Sequence, residues 1–203
     1  MFVDYSYHLL KHLYKGALFR KKEKGAKVVH LTFDDGPIPE ITDWVLEVLQ
    51  KYNIKATFFC IGDNVRKYPC IYERILAKGH SVGNHTFNHL RGFWTSSKRY
   101  VENVEIASKY IDSNLFRPPH GLMRIVQKCA LEKKYKIVMS DVISCDYDQD
   151  LEPETVLNKV KKRCRNGSII VFHDSLKAEP NLRYALPKAI EFLLAEGYEF
   201  RKL

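Results

Sequence analysis

The sequence contains no apolar run long enough to cross a membrane and no linker rich in proline, glycine or serine. A membrane-spanning helix needs about 20 consecutive apolar residues. The first residues form no unbroken apolar core of a signal peptide, because Asp4, His8, Lys11 and His12 interrupt them. We therefore expect one domain that works in the cytoplasm or peripherally at the inner face of a membrane.

Cysteines are few and scattered along the chain. There are five, at positions 60, 70, 129, 145 and 164, and no two form a CxxC pair. Disulfide frameworks and thiolate zinc sites both use paired cysteines, so the sequence favours neither. We expect free thiols in a reducing compartment.

Acidic residues are fewer than basic ones, 24 against 33, which gives a formal net charge of +9. A positive field favours anionic partners such as nucleic acid, phospholipid or phosphate-bearing glycans. No zinc finger, RNP sequence or helix-turn-helix signature accompanies the charge, so nucleic acid is not an expected partner. The 203 residues and the 45% hydrophobic content suit one globular domain of undetermined oligomeric state.

Strand and helix patterns alternate along the chain. Apolar, β-branched runs predict strands at 28–33, 56–61, 80–83, 115–117, 136–142, 168–172 and 198–201. Helical spacing predicts helices at 41–51, 71–78, 96–113, 122–134, 153–165 and 186–196. Such repeated units indicate parallel strands with covering helices. We predict a single-domain α/β fold, a distorted (β/α) barrel of about seven or eight parallel strands, with a doubly wound open sheet as the alternative.

Residues 1–26 form an N-terminal segment ahead of a main domain at 27–203. Within it, residues 8–18 have amphipathic helical spacing, with one apolar side made of Leu9, Leu10, Leu13, Tyr14 and Ala17. A basic stretch follows at residues 20–24. Two interpretations stay open: the helix packs across the barrel, or it lies on an anionic membrane surface.

Polar residues cluster at the carboxyl ends of the predicted strands. The clusters are Asp34-Asp35-Gly36-Pro37, His85 with His89, Arg117-Pro118-Pro119-His120-Gly121, Asp141 with Asp146, and His173-Asp174. Active sites of parallel barrels lie at that rim. We therefore expect these clusters to meet in one site.

Asp35, His85 and His89 form a candidate metal site. Two imidazoles spaced as in HxxxH face the same side of a helical turn, and with one carboxylate they make a common zinc set that leaves a position for water. Taken separately, the aspartates suit a turn and the histidines suit a solvated surface pair. Together they favour a divalent cation, Zn²⁺ first, with Co²⁺, Ni²⁺ or Mn²⁺ as alternatives.

The remaining rim residues allow acid–base chemistry. A metal on Asp35 would leave the neighbouring Asp34 free as a base. His173 is either a core histidine or a general acid, since imidazole gives up a proton near neutral pH. Arg117 is able to clamp Asp34 or Asp146, although a surface salt bridge explains it equally well. Asp174 fits an ordinary loop residue.

Together, the motifs TFDDGP at 32–37, HTxxH at 85–89, RPPxG at 117–121 and the apolar run before His173 resemble the polysaccharide deacetylase family. This family is also called the NodB-homology or carbohydrate esterase family 4 domain, and the resemblance covers about residues 27 to 200. It implies a catalytic domain at 27–203 that removes an N-acetyl group from an amino sugar of a chitin oligomer, peptidoglycan or a related glycan with the help of a divalent metal.

The resemblance also implies a role for each rim residue. Asp34 would be the catalytic base and His173 the catalytic acid. Arg117 would orient Asp34, and Asp146 would in turn hold Arg117. The metal ligands would be Asp35, His85 and His89.

Three implied substrate contacts depart from the usual family pattern. The backbone N–H of His120 would bind the oxyanion, at a position that is often Tyr. Tyr147 and Val171 would wall the acyl pocket, where Trp and Leu are usual. Because these two line the acyl pocket, the departures bear on acyl size and substrate choice.

Two alternative functions remain open at this point. One is a deacylase or deformylase of a lipid-linked amino sugar at the membrane surface. The other is a non-catalytic glycan-binding relative, which should lack the base or the acid.

Overall fold

The computed structural model describes residues 9–203, in which eight strands form one sheet. In chain order, the strands β1 to β8 are Val28–Asp34, Thr57–Cys60, Ser81–Asn84, Leu115–Phe116, Lys136–Ile137, Val142–Ile143, Ser168–His173 and Glu199–Phe200. Every pairing between them is parallel. Their order is β5-β4-β3-β2-β1-β7-β6, with β8 beside the start of β1. The single-domain distorted (β/α) barrel predicted from the sequence is confirmed.

Helices connect and cover the strands. Residues 9–13 are helical (α1), and the helices α2 to α8 are Ile41–Lys51, Gly62–Lys67, Pro69–Ala77, Ser97–Ala107, Ile125–Leu131, Pro153–Arg163 and Glu179–Ala195. A 3₁₀ turn spans Pro119–Gly121. The helix predictions missed α3, made α5 and α6 too long, and began α8 at residue 186 although it starts at Glu179.

The core lies between the sheet and the helices α2, α7 and α8. All seven residues of β1 are buried, since strands pack on both sides of it. Phe33 of β1 stacks on Phe58 of β2 with ring centroids 5.0 Å apart. Burial of each such side chain contributes about 1.5–3 kcal/mol, so β1 is a rigid base for whatever follows it.

The strand predicted at 136–142 is wrong, because this stretch forms β5 and β6 at opposite edges of the sheet. After β5 the Met139 N–H donates to the Leu18 carbonyl oxygen at 2.8 Å, so the chain leaves β4 and crosses the open side of the barrel. Asp141 then lies at the amino end of β6, where it accepts the Ile169 N–H at 2.9 Å. Asp141 therefore lines the cavity from the amino end of β6, and its expected place at the catalytic rim is wrong.

The N-terminal segment packs on the barrel from Tyr14 onward. The Leu18 N–H donates to the Ile137 carbonyl oxygen, and the Lys21 N–H donates to the Gly167 carbonyl oxygen, so residues 18–21 fill the gap between β5 and β7. Tyr14 is buried, whereas Leu9 and Leu13 are 59% and 47% exposed. Part of the amphipathic side therefore packs inward, and contact of the remainder with a membrane stays a prediction. Within residues 9–203, no helix combines the length and the apolar character needed to span a bilayer.

Replacement of Tyr14 by Phe tests this packing. The buried Tyr14 hydroxyl donates to the Met123 carbonyl oxygen at 2.6 Å and accepts the Met123 N–H at 2.9 Å. Because Tyr14→Phe leaves both backbone groups without this partner, we expect a loss of about 1–3 kcal/mol in the free energy of unfolding, measured by urea denaturation. The exposed Tyr110 provides the control, since Tyr110→Phe should change stability little. Equal stability of both variants would contradict the packing of this segment.

Candidate active site

The parallel strands deliver most of the predicted site residues to one cavity. In the register between β1 and β7, Asp34 lies opposite His173, while His85 follows β3 and Arg117 follows β4. The cavity has a volume of about 970 Å³. Nine of the ten predicted residues line it, namely Asp34, Asp35, His85, His89, Arg117, His120, Tyr147, Val171 and His173. The tenth, Asp146, lies directly behind His173.

Asp35, His85 and His89 lie close enough together to share one cation. One potential ligand atom from each lies within 4.8 Å of the others. The Asp35 Oδ1 is 3.3 Å from His89 Nε2 and 3.7 Å from His85 Nε2. This oxygen is buried and, within residues 9–203, has no hydrogen-bond partner. A buried acceptor left unpaired costs about 1–3 kcal/mol, so the three residues fit a bound metal ion.

Both imidazoles are in the form that binds a metal. The His85 Nδ1 lies 2.8 Å from the Arg117 carbonyl oxygen, an acceptor that requires Nδ1 to carry the proton. The Nε2 lone pair of His85 is then free to point at Asp35. Burial lowers the pKa of both His85 and His89 to about 4. Both are therefore neutral at physiological pH.

Asp34 is held as a carboxylate inside the barrel. Its Oδ1 accepts a hydrogen bond from Arg117 Nη1 at 2.6 Å, and both side chains are buried. Burial alone would raise the pKa of Asp34, but the adjacent Arg117 guanidinium outweighs it and lowers the pKa. The Arg117 guanidinium also stacks 4.0 Å from the Phe59 ring centroid, which fixes its position. Asp34 is thus able to accept a proton at neutral pH.

His173 is held as an imidazolium by Asp146. The Nδ1 of His173 lies 2.8 Å from Asp146 Oδ1, and the His173 backbone N–H donates to Asp146 Oδ2 at 2.8 Å. Burial would lower the pKa of His173, but the Asp146 carboxylate raises it to about 9. His173 is therefore protonated at neutral pH and available as a proton donor.

The expected pair between Arg117 and Asp146 is wrong. Arg117 follows β4, and its Nη2 donates to the Met139 carbonyl oxygen at 3.2 Å. Asp146 follows β6, which lies beside β7, and four strands separate β6 from β4. Asp146 therefore contacts His173 instead, and within residues 9–203 no hydrogen bond or ion pair joins it to Arg117.

The expected substrate contacts surround these groups. The backbone of His120 has φ 59°, and its imidazole ring packs 4.8 Å from the His89 ring. The Tyr147 ring meets the His173 ring edge-on at 5.0 Å. Val171 is buried on β7 below His173. These positions border the cavity, and their proposed roles toward an acyl group stay predictions.

Unusual backbone conformations concentrate at this site. Non-glycine residues with positive φ include Asp35, Thr86, His89, His120 and Cys145, all in the site loops. Each such conformation costs about 1–3 kcal/mol and persists only where the surroundings enforce it. Thr86, a β-branched residue at φ 67°, is the most unusual of them. The sequence offered no signal for these conformations.

Sequence reasoning missed the part played by Asp174. This residue, interpreted as an ordinary loop residue, is 1% exposed, and burial raises its pKa to about 8. Its carboxyl group accepts the Gly36 N–H at 3.1 Å and the Thr42 hydroxyl at 2.6 Å. The one feature of the sequence that indicated burial of Asp174 was its position directly after the buried strand β7.

Comparison with known proteins points to one family. The family model described as polysaccharide deacetylase matches residues 21–136. A peptidoglycan-N-acetylglucosamine deacetylase of Bacillus cereus is 33% identical over 186 residues, which are 86% of this chain and 85% of that protein. This chain spans a smaller share, 56%, of a second deacetylase of the same name from that organism.

Solved structures share the fold at similar identity. The Bc1960 peptidoglycan N-acetylglucosamine deacetylase superposes with a TM-score of 0.82 at 31% identity, over 93% of this chain and 91% of that one. BA3943 of Bacillus anthracis, described as a CE4 family pseudoenzyme, superposes with a TM-score of 0.77 at 26% identity, over 91% and 66% of the two chains. Likeness of fold therefore does not decide whether a chain is catalytic.

Replacement of Asp146 by Asn tests the electrostatic origin of the His173 charge. Without the carboxylate, burial dominates, and we expect the pKa of His173 to fall from about 9 to below its ordinary value of 6.5. A ¹⁵N NMR titration of metal-free protein would measure it, with the exposed Asp150 changed to Asn as control. A His173 that still titrates near pH 9 in Asp146→Asn would refute the assignment.

The same contact predicts how stability depends on pH. The folded-state pKa of His173 lies above its unfolded value, so the contact stabilises the fold fully below about pH 6.5 and loses this contribution as pH rises towards 9. Asp146→Asn should remove that dependence, which urea denaturation at several pH values would show.

Proposed function

The chain belongs to the polysaccharide deacetylase family, and from that premise we propose that it is a metal-dependent hydrolase that removes the N-acetyl group from an amino sugar of a glycan. One observation carries the proposal: Asp34 is paired with Arg117 and His173 with Asp146, in the same cavity as a candidate metal site. These contacts lower the pKa of Asp34 and raise that of His173. Amide hydrolysis needs a deprotonated base and a protonated acid at once, and opposed pKa shifts supply both.

Peptidoglycan, or a glycan related to it, is the proposed substrate class. Two similar proteins carry the name of peptidoglycan N-acetylglucosamine deacetylase, and they match most of this chain. The cavity of about 970 Å³ is large enough for at least one sugar unit. Chitin oligomers offer the same N-acetylated unit, so a panel of both glycans is the direct comparison.

A divalent metal fits on Asp35, His85 and His89. When bound, it would polarise the amide carbonyl and lower the pKa of a water molecule, and Zn²⁺ is the first choice with Co²⁺, Ni²⁺ or Mn²⁺ as alternatives. The chain's own part is to present one carboxylate and two neutral imidazoles in a fixed arrangement. The His85 contact with the Arg117 carbonyl serves this purpose.

Asp34 acts as the general base in this mechanism. It accepts a proton from the water that attacks the acetyl carbonyl carbon, and Arg117 holds it in place meanwhile. The attached guanidinium keeps Asp34 ionised but also makes it a weaker base. Its position beside Asp35 would compensate, because a cation held by Asp35, His85 and His89 would lower the pKa of a water molecule there.

His173 acts as the general acid on the other side of the site. Its Nδ1 is engaged by Asp146, so Nε2 is the atom that donates a proton to the departing sugar nitrogen. The backbone N–H of His120 donates a hydrogen bond to the carbonyl oxygen as negative charge develops there. Acetate then leaves, and Tyr147 and Val171 border the space that holds its methyl group.

A non-catalytic relative is the alternative from a different class. Such a protein should lack the base, the acid or a partner that sets their charge. Asp34, His173, Arg117 and Asp146 are all present and engaged in buried contacts. These contacts favour the enzyme.

Removal of the base or the acid should lower turnover strongly. We expect Asp34→Asn and His173→Ala each to reduce kcat for acetate release by about 10²–10⁴-fold, since each supplies one proton transfer. The exposed His12 offers a control, as His12→Ala should retain activity. Circular dichroism must accompany the assay, because Asp34→Asn leaves the Arg117 charge buried without its partner. A folded Asp34→Asn protein with full activity would refute the assignment of the base.

Metal dependence is tested by removal and return of the cation. Treatment with a chelator should abolish acetate release from N-acetylated glycans, and added Zn²⁺ or Co²⁺ should restore it. His89→Ala removes one ligand from the partly exposed side of the site, so we expect less bound metal in elemental analysis and no recovery. Full activity in the presence of chelator, with no metal found in the protein, would contradict the proposal.

A further inference from the structure

Asp174 is a buried carboxyl group that the proposed reaction does not use. It follows His173 at the end of β7 and is 1% exposed. Its backbone N–H donates to the Asp34 carbonyl oxygen at 3.1 Å, which continues the pairing of β1 and β7. The described residues that line the catalytic cavity do not include Asp174. Any effect of Asp174 on the reaction must therefore act through other residues.

The Asp174 side chain holds both ends of the loop that connects β1 to α2. Its Oδ1 accepts the Gly36 N–H at 3.1 Å, and its Oδ2 accepts the Thr42 hydroxyl at 2.6 Å. The Thr42 oxygen in turn accepts the Ile38 N–H at 2.8 Å. The loop is thus tied to one buried carboxyl group before and after Pro37.

Gly36 is matched to this close approach. A Cβ atom on Gly36 would lie 2.0 Å from the Asp174 Oδ2, a distance that no side chain tolerates. The glycine therefore serves to let the carboxyl group reach the backbone of the loop. This explains the glycine of the TFDDGP motif by a contact, and not by a need for positive φ, which Gly36 does not have.

The peptide group between Asp35 and Gly36 is held at both of its polar atoms. Asp174 accepts its N–H, and the Asn64 side-chain amide donates to its carbonyl oxygen at 2.7 Å. The Gly36 carbonyl oxygen is engaged as well, by the Ile61 N–H at 2.9 Å. Asp35 itself has φ 84°, a conformation that needs such restraint.

We propose that Asp174 is a positioning residue, which holds the Asp35–Gly36 peptide group so that the Asp35 carboxylate faces His85 and His89. Outer partners of this kind fix the direction in which a ligand points and thereby set metal affinity. The effect of Asp174 on catalysis, as distinct from metal binding, rests on the proposed function. A merely structural role predicts a different result, a loss of stability without a change in metal affinity.

Direct measurement of Co²⁺ affinity separates the two roles. Competition with a chelator, well below the unfolding temperature, should show that Asp174→Ala binds Co²⁺ about 10–100-fold more weakly than the unchanged protein. In steady-state kinetics at saturating metal, kcat should fall while KM changes little, because the acyl pocket is untouched. Asp174→Asn should restore most of the affinity, since its amide oxygen still accepts the Gly36 N–H. In the unchanged protein, the hydrogen bond from the Gly36 N–H to Asp174 forms whether or not the Asp174 carboxyl group is protonated.

Matched controls come from the opposite end of the sheet. Asp141 is a buried carboxylate that accepts the Ile169 N–H, and Thr57 is a buried threonine whose hydroxyl accepts the Leu203 N–H at 3.0 Å. Asp141→Ala and Thr57→Val should lose stability but keep the Co²⁺ affinity of the unchanged protein. If Asp174→Ala does not fold, Thr42→Val takes its place in the experiment, with Thr57→Val as the control. We then expect Thr42→Val to bind Co²⁺ more weakly and Thr57→Val to bind it as the unchanged protein does.

Amide hydrogen exchange gives a readout that needs neither metal nor substrate. The Gly36 N–H should exchange faster in Asp174→Ala than in Asp141→Ala, measured by NMR on metal-free protein. Unchanged Co²⁺ affinity together with unchanged Gly36 exchange in Asp174→Ala would overturn the positioning role. If no glycan yields acetate while Asp174→Ala still weakens Co²⁺ binding and exposes Gly36, the proposed function fails and the positioning role stands.

Discussion

The site depends on the buried ion pair between Asp34 and Arg117. Its two charges lie 2.6 Å apart at the carboxyl ends of β1 and β4, with almost no solvent access. Arg117 also donates to Thr32, stacks on Phe59 and offers its carbonyl oxygen to His85, so it joins the strands that form the site. Breaking a buried pair by removing one partner costs about 3–5 kcal/mol. The protonation state of Asp34, the orientation of the His85 ring and the packing of the barrel therefore depend on the same residue.

The part of the site that could be predicted from the sequence is the part fixed by strand polarity and short spacing. Parallel strands bring their carboxyl ends to one rim, so polar residues after buried runs had to meet there. To predict that Asp35 and the two histidines of HxxxH form one site required only this strand polarity, and not the order of the strands. The structure brings the three side chains together. The fold class followed from the same alternation of strand and helix.

The rest could not be predicted because it depends on strand order and on contacts distant in the chain. The strand pattern at 136–142 gave no sign that the chain would leave the sheet at Met139 and return on the other edge. That crossing places Asp146 behind His173 and far from Arg117. Asp174 was overlooked for a related reason, as its partners Gly36 and Thr42 lie 138 and 132 residues away.

Family likeness and catalytic competence are separate questions, since one structure of similar fold is described as a pseudoenzyme. Burial alone would push both Asp34 and His173 towards their neutral forms, which suit neither a base nor a protonated acid. One opposite charge reverses the effect of burial on each: Arg117 after β4 for Asp34, and Asp146 after β6 for His173. The strands on each side of β1 thus supply one charged side chain, Arg117 on one side and Asp146 on the other. The (β/α) fold itself provides only the burial of Asp34 and His173. A chain of this fold that lost either partner would lose the charge state that the proposed proton transfers need.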